Sequence, residues 1–455
     1  MRRSLVATFA VLAMLGALPA SADHPGWYTP SPESQTANMH IVGSSPRTRF
    51  DSTYRNSDLA FWGRLAYAGH YDGFRILNIS DPENPETVVD YPCPGVQHDI
   101  SVWAGLLFLS IDTPRTGPTC DSTQLPSTEN GFEGIRVFDV KDPANPVYVT
   151  GVPTDCGSHT HTLVPDPENE RVLLYVASYP ASHLGPTPFG TECTRATEER
   201  PQGHSQISVV EVPLATPQDA AVIGEPQFTL NDRAGIAGYR GCHDITVFME
   251  LNLAASACLV EGQIWDISDP EQPTTTARVH NSNIEFWHSA AFTWDGERVV
   301  FGDEAGGGTQ PRCRDTDPAT LGAAWIYDVG SLDVMDASTQ EAPLGSFKIP
   351  RPQGAGNCTT HNFNFIPTSR GYFWVSSYYA GGTTVVDMTN AAAPREVGHL
   401  DPHGANTWSS YWYNGFIYTN DSGRGSDVML LSSRVRMGSQ KLPRLNPQTQ
   451  ESTIG

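Results

Sequence analysis

The chain contains 455 residues, and its 28 Lys and Arg residues stand against 50 Asp and Glu residues, which gives a formal net charge of −22. A surface this acidic repels phosphate backbones and anionic lipid, so the charge excludes nucleic-acid binding and membrane-surface binding as the expected function. The 41 Gly and 36 Pro residues punctuate short apolar runs, a composition typical of an all-β protein.

The first 22 residues have the pattern of a secretory signal peptide. A basic start at Arg2 and Arg3 precedes a short apolar run, and the segment ends in Ala-Ser-Ala at Ala22. The run is short for a membrane span, and no other segment is suited to cross a bilayer. We therefore expect cleavage before Asp23 and a soluble protein, without membrane insertion, that is secreted or held at the cell surface.

Residues 23–436 repeat a unit of four short strands seven times. The third strand of the unit starts at a Gly, ends at an Asp and leads into a turn that contains Pro, where Asp can cap its own backbone and Pro fixes φ. This pattern is clearest at 73–85, 134–146, 262–273 and 382–394, and weaker at 206–217, 323–334 and 426–433. Seven such units predict an all-β, seven-bladed β-propeller, in which each sheet is buried between two others. An open solenoid or two packed β domains are the alternatives.

The last repeat has three recognisable strands and lacks a fourth. The N-terminal segment 38–46 resembles the segment 395–402, which occupies a fourth-strand position. We therefore expect the N-terminal strand to complete the last blade and close the ring. Residues 437–455 are polar and contain Pro, and we expect them to form a flexible C-terminal tail.

The third-strand motif and its Asp-Pro-x-x-Pro turn resemble those of LVIVD-repeat proteins, which are exported or surface proteins of bacteria and archaea. The resemblance covers nearly the whole mature chain, although 206–217 and 323–334 lack the Asp-Pro turn. It implies a propeller fold and export. It implies little about activity, because one fold hosts many functions.

All eight cysteines follow the predicted signal peptide, and an even number in an exported protein indicates disulfides. Their positions in the repeats favour the pairs Cys93–Cys120, Cys156–Cys193, Cys242–Cys258 and Cys313–Cys358. Thiolate metal ligands are the alternative, because Cys156 and Cys358 each precede a histidine by three residues. The sequence contains no Cys-x-x-Cys pair to strengthen that alternative.

Five histidines occupy the same position in five consecutive repeats, at the start of the first strand. They are His98, His161, His243, His288 and His361. In a propeller the first strand of each blade lines the central axis, so these side chains are expected to surround one mouth of the axial channel. His159 faces the same side of its strand as His161 and is the alternative ligand for that repeat.

Two interpretations of these histidines follow. Converging buried imidazoles are costly to protonate together and costly to leave unpaired, and a transition metal removes both costs. Nitrogen ligands suit Cu or Fe, with Zn a further option, and an open position is typical of a reactive site. The favoured function is a monomeric metal-dependent oxidoreductase acting on a small molecule. Alternatively, the histidines join neighbouring blades, and the protein is a non-catalytic propeller that binds an extracellular protein.

Other side chains near the first strands are candidates to support such a site. Glu285, Asp303 and Glu304 are placed to orient imidazoles or move protons, although such residues are commonly solvated loop carboxylates. Five aromatic residues are candidates to wall an apolar pocket or, alternatively, to pack between blades: Trp287, Trp408, Tyr411, Trp412 and Tyr413.

Overall fold

A computed structural model describes residues 32–49, 54–126, 131–179, 202–230, 240–332, 342–354 and 356–454. All of them lie in one compact unit, Ser31–Gly455. The predicted signal peptide, 1–22, and Cys193 lie outside the described residues.

Seven antiparallel sheets of four or five strands follow one another along the chain, and together they form a seven-bladed β-propeller. Two strands precede the first blade: β1 (Pro32–Gln35) and β2 (Met39–Pro46). Blade 1 contains β3 (Asn56–Trp62), β4 (Leu65–His70), β5 (Gly73–Asn78) and β6 (Glu86–Pro92). Blade 2 contains β7 (Ile100–Trp103), β8 (Leu106–Arg115), β9 (Phe132–Asp139) and β10 (Val147–Pro153). Blade 3 contains β11 (Thr160–Asp166), β12 (Arg171–Ala177), β13 (Ser208–Pro213) and β14 (Ala221–Gly224).

The remaining blades repeat this order. Blade 4 contains β15 (Ile245–Phe248), β16 (Leu253–Ala257), β17 (Gly262–Asp266) and β18 (Thr274–Val279). Blade 5 contains β19 (Trp287–Phe292), β20 (Arg298–Asp303), β21 (Ala324–Asp328) and β22 (Gly345–Phe347). Blade 6 contains β23 (Phe363–Phe365), β24 (Phe373–Ser377), β25 (Thr383–Asp387) and β26 (Arg395–Pro402). Blade 7 contains β27 (Thr407–Tyr413), β28 (Phe416–Asp421) and β29 (Gly425–Leu431), and a C-terminal segment follows with α1 (Arg434–Gly438), β30 (Arg444–Leu445) and β31 (Thr449–Gln450).

The repeated motif has a direct structural cause at both of its ends. Gly73 starts its third strand with φ +146°, and a Cβ there would lie 2.0 Å from the carbonyl oxygen of Tyr91 on the adjacent strand. A side chain is therefore excluded where the third strand begins. At the following turn, the Asp81 carboxylate accepts a hydrogen bond from the backbone N–H of Glu83 at 3.1 Å, as expected for an Asp-capped turn.

Large apolar side chains fill the spaces between neighbouring blades. Trp287, Tyr411, Trp412 and Tyr413 are at most 1% exposed and pack within these cores. For these four aromatic residues, blade packing is therefore the correct interpretation, and they do not wall a pocket. Trp408 is different and lines the cavity described below.

The ring closes as the sequence predicts. Strand β2 pairs antiparallel with β29, from Met39 opposite Leu431 to Pro46 opposite Gly425, and completes blade 7. The short strand β1 adds a fifth strand to blade 6 by pairing with β26, which the sequence did not predict. The N-terminal segment thus bridges two blades.

The expectation of a flexible tail at 437–455 is wrong. Strand β30 pairs with the inner strand of blade 1, and β31 pairs in parallel with the inner strand of blade 4. The Asn446 side chain bonds both the backbone N–H and the carbonyl of Val102, at 2.8 and 3.0 Å, and Gln450 does the same at Phe292, at 3.2 and 3.0 Å. The polar residues of this segment satisfy backbone groups that face the axis. Their polarity reflects this role and not exposure to solvent.

Three expected disulfides are present among the described residues: Cys93–Cys120, Cys242–Cys258 and Cys313–Cys358. The fourth expected pair, Cys156–Cys193, involves a residue outside them. The six cysteines of the three bonds are therefore not thiolate metal ligands. The bonds hint at an oxidising, extracellular location. In the part of the chain that the structure describes, no helix has the length and apolarity needed to span a bilayer.

Replacing Asn446 by Ala should destabilise the protein, because it leaves a buried N–H and a buried carbonyl of blade 2 without partners. We expect the free energy of unfolding to fall by about 2–4 kcal/mol. Denaturant titration of the full chain measures this. Asn390→Ala, at an exposed turn position, is the matched control and should change little. Equal stability of the two variants would contradict an anchored C-terminal segment.

Candidate metal centre

Four imidazoles and one carboxylate meet at one mouth of the axial channel. The histidine cluster consists of His159, His243, His288 and His361, and Glu304 lies beside it. His159, His243 and His361 lie one or two residues before the inner strands of blades 3, 4 and 6, His288 lies near the start of the inner strand of blade 5, and Glu304 follows β20. All five side chains are buried. The inner strands start at this mouth, so residues at their starts converge there.

The distances between the cluster members are short. The Nε2 atoms of His159 and His243 are 2.9 Å apart. The ring centroids of His243 and His288 are 3.9 Å apart, and those of His288 and His361 are 4.4 Å apart. Among the described residues, His243, His288 and Glu304 form the group of three whose ligand atoms all lie within 4.8 Å of one another.

A hydrogen-bond acceptor fixes the Nδ1 atom of three of these imidazoles. The Nδ1 of His159 lies 3.0 Å from Asp112 Oδ2, the Nδ1 of His243 lies 3.0 Å from Asp244 Oδ1, and the Nδ1 of His361 lies 2.5 Å from the carbonyl of Trp408. Carboxylates and carbonyls accept hydrogen bonds, so the proton of each neutral ring resides on Nδ1. The Nε2 atoms of these rings therefore carry lone pairs.

The Nε2 atoms of His159 and His243 face each other across 2.9 Å, so either a cation or a proton has to lie between them. Two imidazole nitrogens at ~2.1 Å from one metal ion and at right angles are separated by about 3.0 Å. The geometry therefore matches two adjacent ligands of a single ion. Acceptors on the outer nitrogen are the usual supports of metal-binding histidines.

Protonation is a poor alternative to a metal here. Burial, together with the neighbouring imidazoles, holds the pKa values of His243 and His288 well below the ordinary range. Burial also lowers the pKa of His361 to about 3. Near neutral pH these rings are neutral and offer unshared electron pairs.

Glu304 faces the cluster with both oxygens. Its Oε2 lies 3.6 Å from His288 Nε2, and its Oε1 lies 3.8 Å from His361 Nε2 and accepts a hydrogen bond from the Tyr379 hydroxyl. Burial raises the pKa of Glu304 to about 8, so this carboxyl binds a proton unless a cation lies nearby. A metal ion would hold it ionised.

The other two carboxylates predicted to support the site do not contact an imidazole. Asp303 accepts hydrogen bonds from the backbone N–H groups of Glu285, Phe286 and Gly322 and thereby fixes the loops of blade 5. Glu285 lies 3.4 Å from Arg312 at the rim of the cavity. Of the three candidates, Glu304 alone reaches the cluster.

The structure brings together three of the five predicted ring histidines, and the other two lie elsewhere. The Nδ1 of His98 bonds the carbonyls of His70 and Gly73, at 2.6 and 3.1 Å. His161 bonds Ser101 and Ser110 through its two nitrogens, at 2.7 and 2.8 Å. Both join backbone or side chains of neighbouring strands, as the structural interpretation predicts, and His159 replaces His161 in the cluster.

A cavity of about 590 Å³ opens over the cluster. Its walls include the four histidines, Glu304 and five aromatic residues: Tyr71, Tyr179, Phe286, Tyr379 and Trp408. The segment Gly306–Gly308 forms part of its edge, and a Cβ on Gly308 would lie 2.6 Å from the Tyr379 hydroxyl. The cavity can hold a small molecule against the open side of the cluster.

Most of these aromatic residues lie outside the first strands, so the first-strand pattern does not reveal them. Tyr71, Tyr179 and Tyr379 each follow the second strand of a blade by one or two residues, as Glu304 does. In an antiparallel hairpin, the end of the second strand lies beside the start of the first. The recurring tyrosine after the second strand was therefore a usable signal.

Comparisons with known proteins support the fold and leave the chemistry of the site open. No family model matches the chain, and no curated protein matches its sequence. A solved structure of a protein from Lactobacillus plantarum is 12% identical with a TM-score of 0.50, over 80% of this chain and 88% of that chain. The Dos1 propeller is 9% identical with a TM-score of 0.46, over 84% and 82%. At such low identity, a likeness concerns the fold alone.

The buried His98 at blade 2 should contribute to the pH dependence of the free energy of unfolding. Burial lowers the pKa of His98 to about 3, whereas the unfolded chain protonates it below about 6.5. The unfolded state thus binds one more proton between these values, and the contribution of His98 to stability is lost as pH falls through this window. His98→Asn keeps a donor, suits the positive φ of 57° at this position, and cannot titrate.

We expect the plot of unfolding free energy against pH, between pH 6 and 4, to be flatter in His98→Asn by about 1.4 kcal/mol per pH unit. Denaturant titrations at a series of pH values measure this slope. His40→Asn, at an exposed position, is the control. An unchanged slope in His98→Asn would show that His98 is protonated in the folded state.

Proposed function

We propose that the histidine cluster and Glu304 bind one transition-metal ion, and that the protein is a metal-dependent oxidoreductase acting on a small molecule held in the cavity. The observation that carries the proposal is the pair of Nε2 lone pairs on His159 and His243, 2.9 Å apart, with both Nδ1 atoms tied to carboxylates. Either a metal ion or a proton between these two nitrogens removes the repulsion of their lone pairs, and burial, which lowers the pKa of His243, disfavours the proton.

The donor set favours Fe or Cu. Two histidines with one carboxylate, here His243, His288 and Glu304, are typical of non-haem iron sites, and further imidazoles suit Cu or Fe. Zn also binds two histidines and a glutamate, in hydrolytic enzymes, and is the alternative ion. A bound Fe or Cu ion would supply one-electron redox chemistry.

The surrounding residues have defined tasks in this proposal. Asp112 and Asp244 orient His159 and His243 through their Nδ1 protons. The Tyr379 hydroxyl donates to Glu304 Oε1 and holds a proton beside the cluster. Tyr71, Tyr179, Phe286 and Trp408 add aromatic surface to a lining that also contains Arg55, Glu285 and Arg312, which suits a substrate with an aromatic body and a polar group.

We further propose that the protein is an exported, monomeric member of the LVIVD-repeat propellers. The repeated third-strand motif with its Asp-capped turn supports the family, and three disulfides support an extracellular location.

A second candidate function is a non-catalytic propeller that binds an extracellular protein. The hydrogen bonds of His98 and His161 favour it, because both of these histidines join strands and ligate nothing in the cluster. The two functions make different demands on the histidine cluster. The cluster has to bind a metal in the oxidoreductase and does not bind one in the binding propeller.

Metal content separates these functions. Protein exported by its host and purified without a metal-affinity tag should contain about one Fe or Cu ion per chain. Inductively coupled plasma mass spectrometry measures this content. The double variant His243→Ala/His288→Ala should lose the ion and remain folded by circular dichroism.

His98→Asn and His161→Gln are matched controls, because they alter buried histidines outside the cluster, and both should retain the metal. Absence of any metal after reconstitution would refute the proposal and favour the binding propeller. Zn as the ion retained in place of Fe and Cu would refute the oxidoreductase and leave a hydrolytic function.

A further inference from the structure

A second polar chamber lies on the other side of the imidazole layer. It has a volume of about 20 Å³, enough for one ion or water molecule. The four imidazoles of the histidine cluster border it, and three carboxylates and three amides are among its other lining residues: Asp58, Asp99, Asp244, Gln97, Asn362 and Gln448. We call this space the axial chamber. No lysine or arginine is among the described residues that line it.

The axial chamber faces different atoms from those of the candidate metal centre. The Nε2 atoms of His243 and His288 point to the cavity side, towards His159 and Glu304. Their Nδ1 atoms lie 3.0 and 4.0 Å from the two oxygens of Asp244, which lines the chamber. One layer of imidazoles therefore separates a site rich in nitrogen from a site that offers oxygen.

The three carboxylates are deeply buried, with exposures of 2% for Asp58, 7% for Asp99 and 4% for Asp244. The Tyr411 hydroxyl donates to Asp58 Oδ1 at 2.6 Å, and the backbone N–H of His161 donates to Asp99 Oδ2 at 2.6 Å. These hydrogen bonds stabilise negative charge but do not neutralise it. The Asp58 and Asp99 carboxyls also interact with each other, so the pair needs a shared proton or a cation.

One buried oxygen at the chamber, Asn362 Oδ1, lacks any hydrogen-bond partner among the described residues, and the Asn362 side chain is 8% exposed. Asp58 Oδ2 faces no donor among them, and the Asp99 carboxyl can bond Asp58 only through a shared proton. An amide oxygen left unpaired inside a protein is costly, and a neighbouring carboxylate does not relieve it because both groups are acceptors. A cation pairs with both at once.

We propose that the axial chamber binds one Ca²⁺ ion through oxygen ligands, with Asp58, Asp99 and Asn362 as its main protein ligands. Calcium accepts six to eight oxygen ligands from carboxylates, amide carbonyls and water in flexible geometry. Asp244 adds negative charge from the opposite wall. Calcium binding here does not depend on the proposed oxidoreductase function, although Asp244 and the imidazoles border both sites.

The position of the ion would make it an axial link between blades. Asp58 lies on the inner strand of blade 1, Asp99 precedes that of blade 2 and Asn362 precedes that of blade 6. Gln448, from the C-terminal segment, lines the chamber, and its carbonyl accepts a hydrogen bond from Val247 of blade 4. Calcium should therefore stabilise both the ring and the C-terminal segment.

Equilibrium dialysis of EDTA-stripped protein against radioactive Ca²⁺ tests the site. The wild type should bind about one ion per chain, and calcium should raise its melting temperature. Asp58→Asn should bind at least ~10-fold more weakly. Asn362→Asp adds a carboxylate ligand and should bind more tightly, while Asp142→Asn, at an exposed turn, should bind as the wild type does.

Glu304→Gln should retain calcium within about 2-fold, because Glu304 belongs to the candidate metal centre and does not line the axial chamber. Failure to bind calcium in the stripped wild type would overturn the site and show that Asp58 and Asp99 share a proton. If Asp58→Asn binds calcium as tightly as the wild type, the ion does not bind at Asp58, and the proposed site is wrong. If Asp58→Asn does not fold, the comparison of Asn362→Asp with the wild type still decides, since weaker or unchanged binding by Asn362→Asp contradicts the site.

Discussion

Closure of the seven-bladed ring is the constraint on which the sites at the axis depend. Strand β2 joins the first described residues to the last blade, and the C-terminal segment then pairs with the inner strands of blades 1 and 4. With the ring closed, all inner strands start at the same mouth of the axial channel. Side chains at these starts therefore lie together although they are far apart in the sequence. The C-terminal segment, which looks dispensable in the sequence, thus helps to hold the axis together.

Bringing the imidazoles together does not by itself orient their nitrogen atoms. The hydrogen-bond acceptors around them do so. Acceptors hold the Nδ1 atoms of His159, His243 and His361, so their lone pairs have to point inwards. Asp244 links the two sides of the imidazole layer, since it orients His243 and also lines the axial chamber. A donor set of nitrogen atoms on one side and oxygen atoms on the other can select a soft or borderline ion and a hard ion, respectively.

The repeats made the fold predictable, whereas the site was predictable only in part. Gly-led third strands and Asp-capped turns recur because backbone sterics demand them, and this regularity gave the blades and the closing strand. Repeat position could not separate His161 from His159, since a shift of two residues keeps a side chain on the same face of a strand. His98 has the register of His243, but it has a positive φ of 57° and bonds the backbone of blade 1. The pattern of the first strands also does not reveal Asp112 or Tyr379, whose places depend on the second strands. The C-terminal segment was misjudged because polar residues that satisfy buried backbone groups resemble solvent-exposed ones.

Anomalous diffraction from crystals of the protein, purified with its native metal and measured at the absorption edge of that metal, tests the central claim most directly. We predict one strong peak on the cavity side of the imidazole layer. It should lie about 2.0–2.2 Å from the Nε2 atoms of His159 and His243 and close to His288 Nε2 and Glu304 Oε2. A crystal in which that position shows no anomalous signal, with His159 and His243 joined by a proton in place of an ion, would contradict the account.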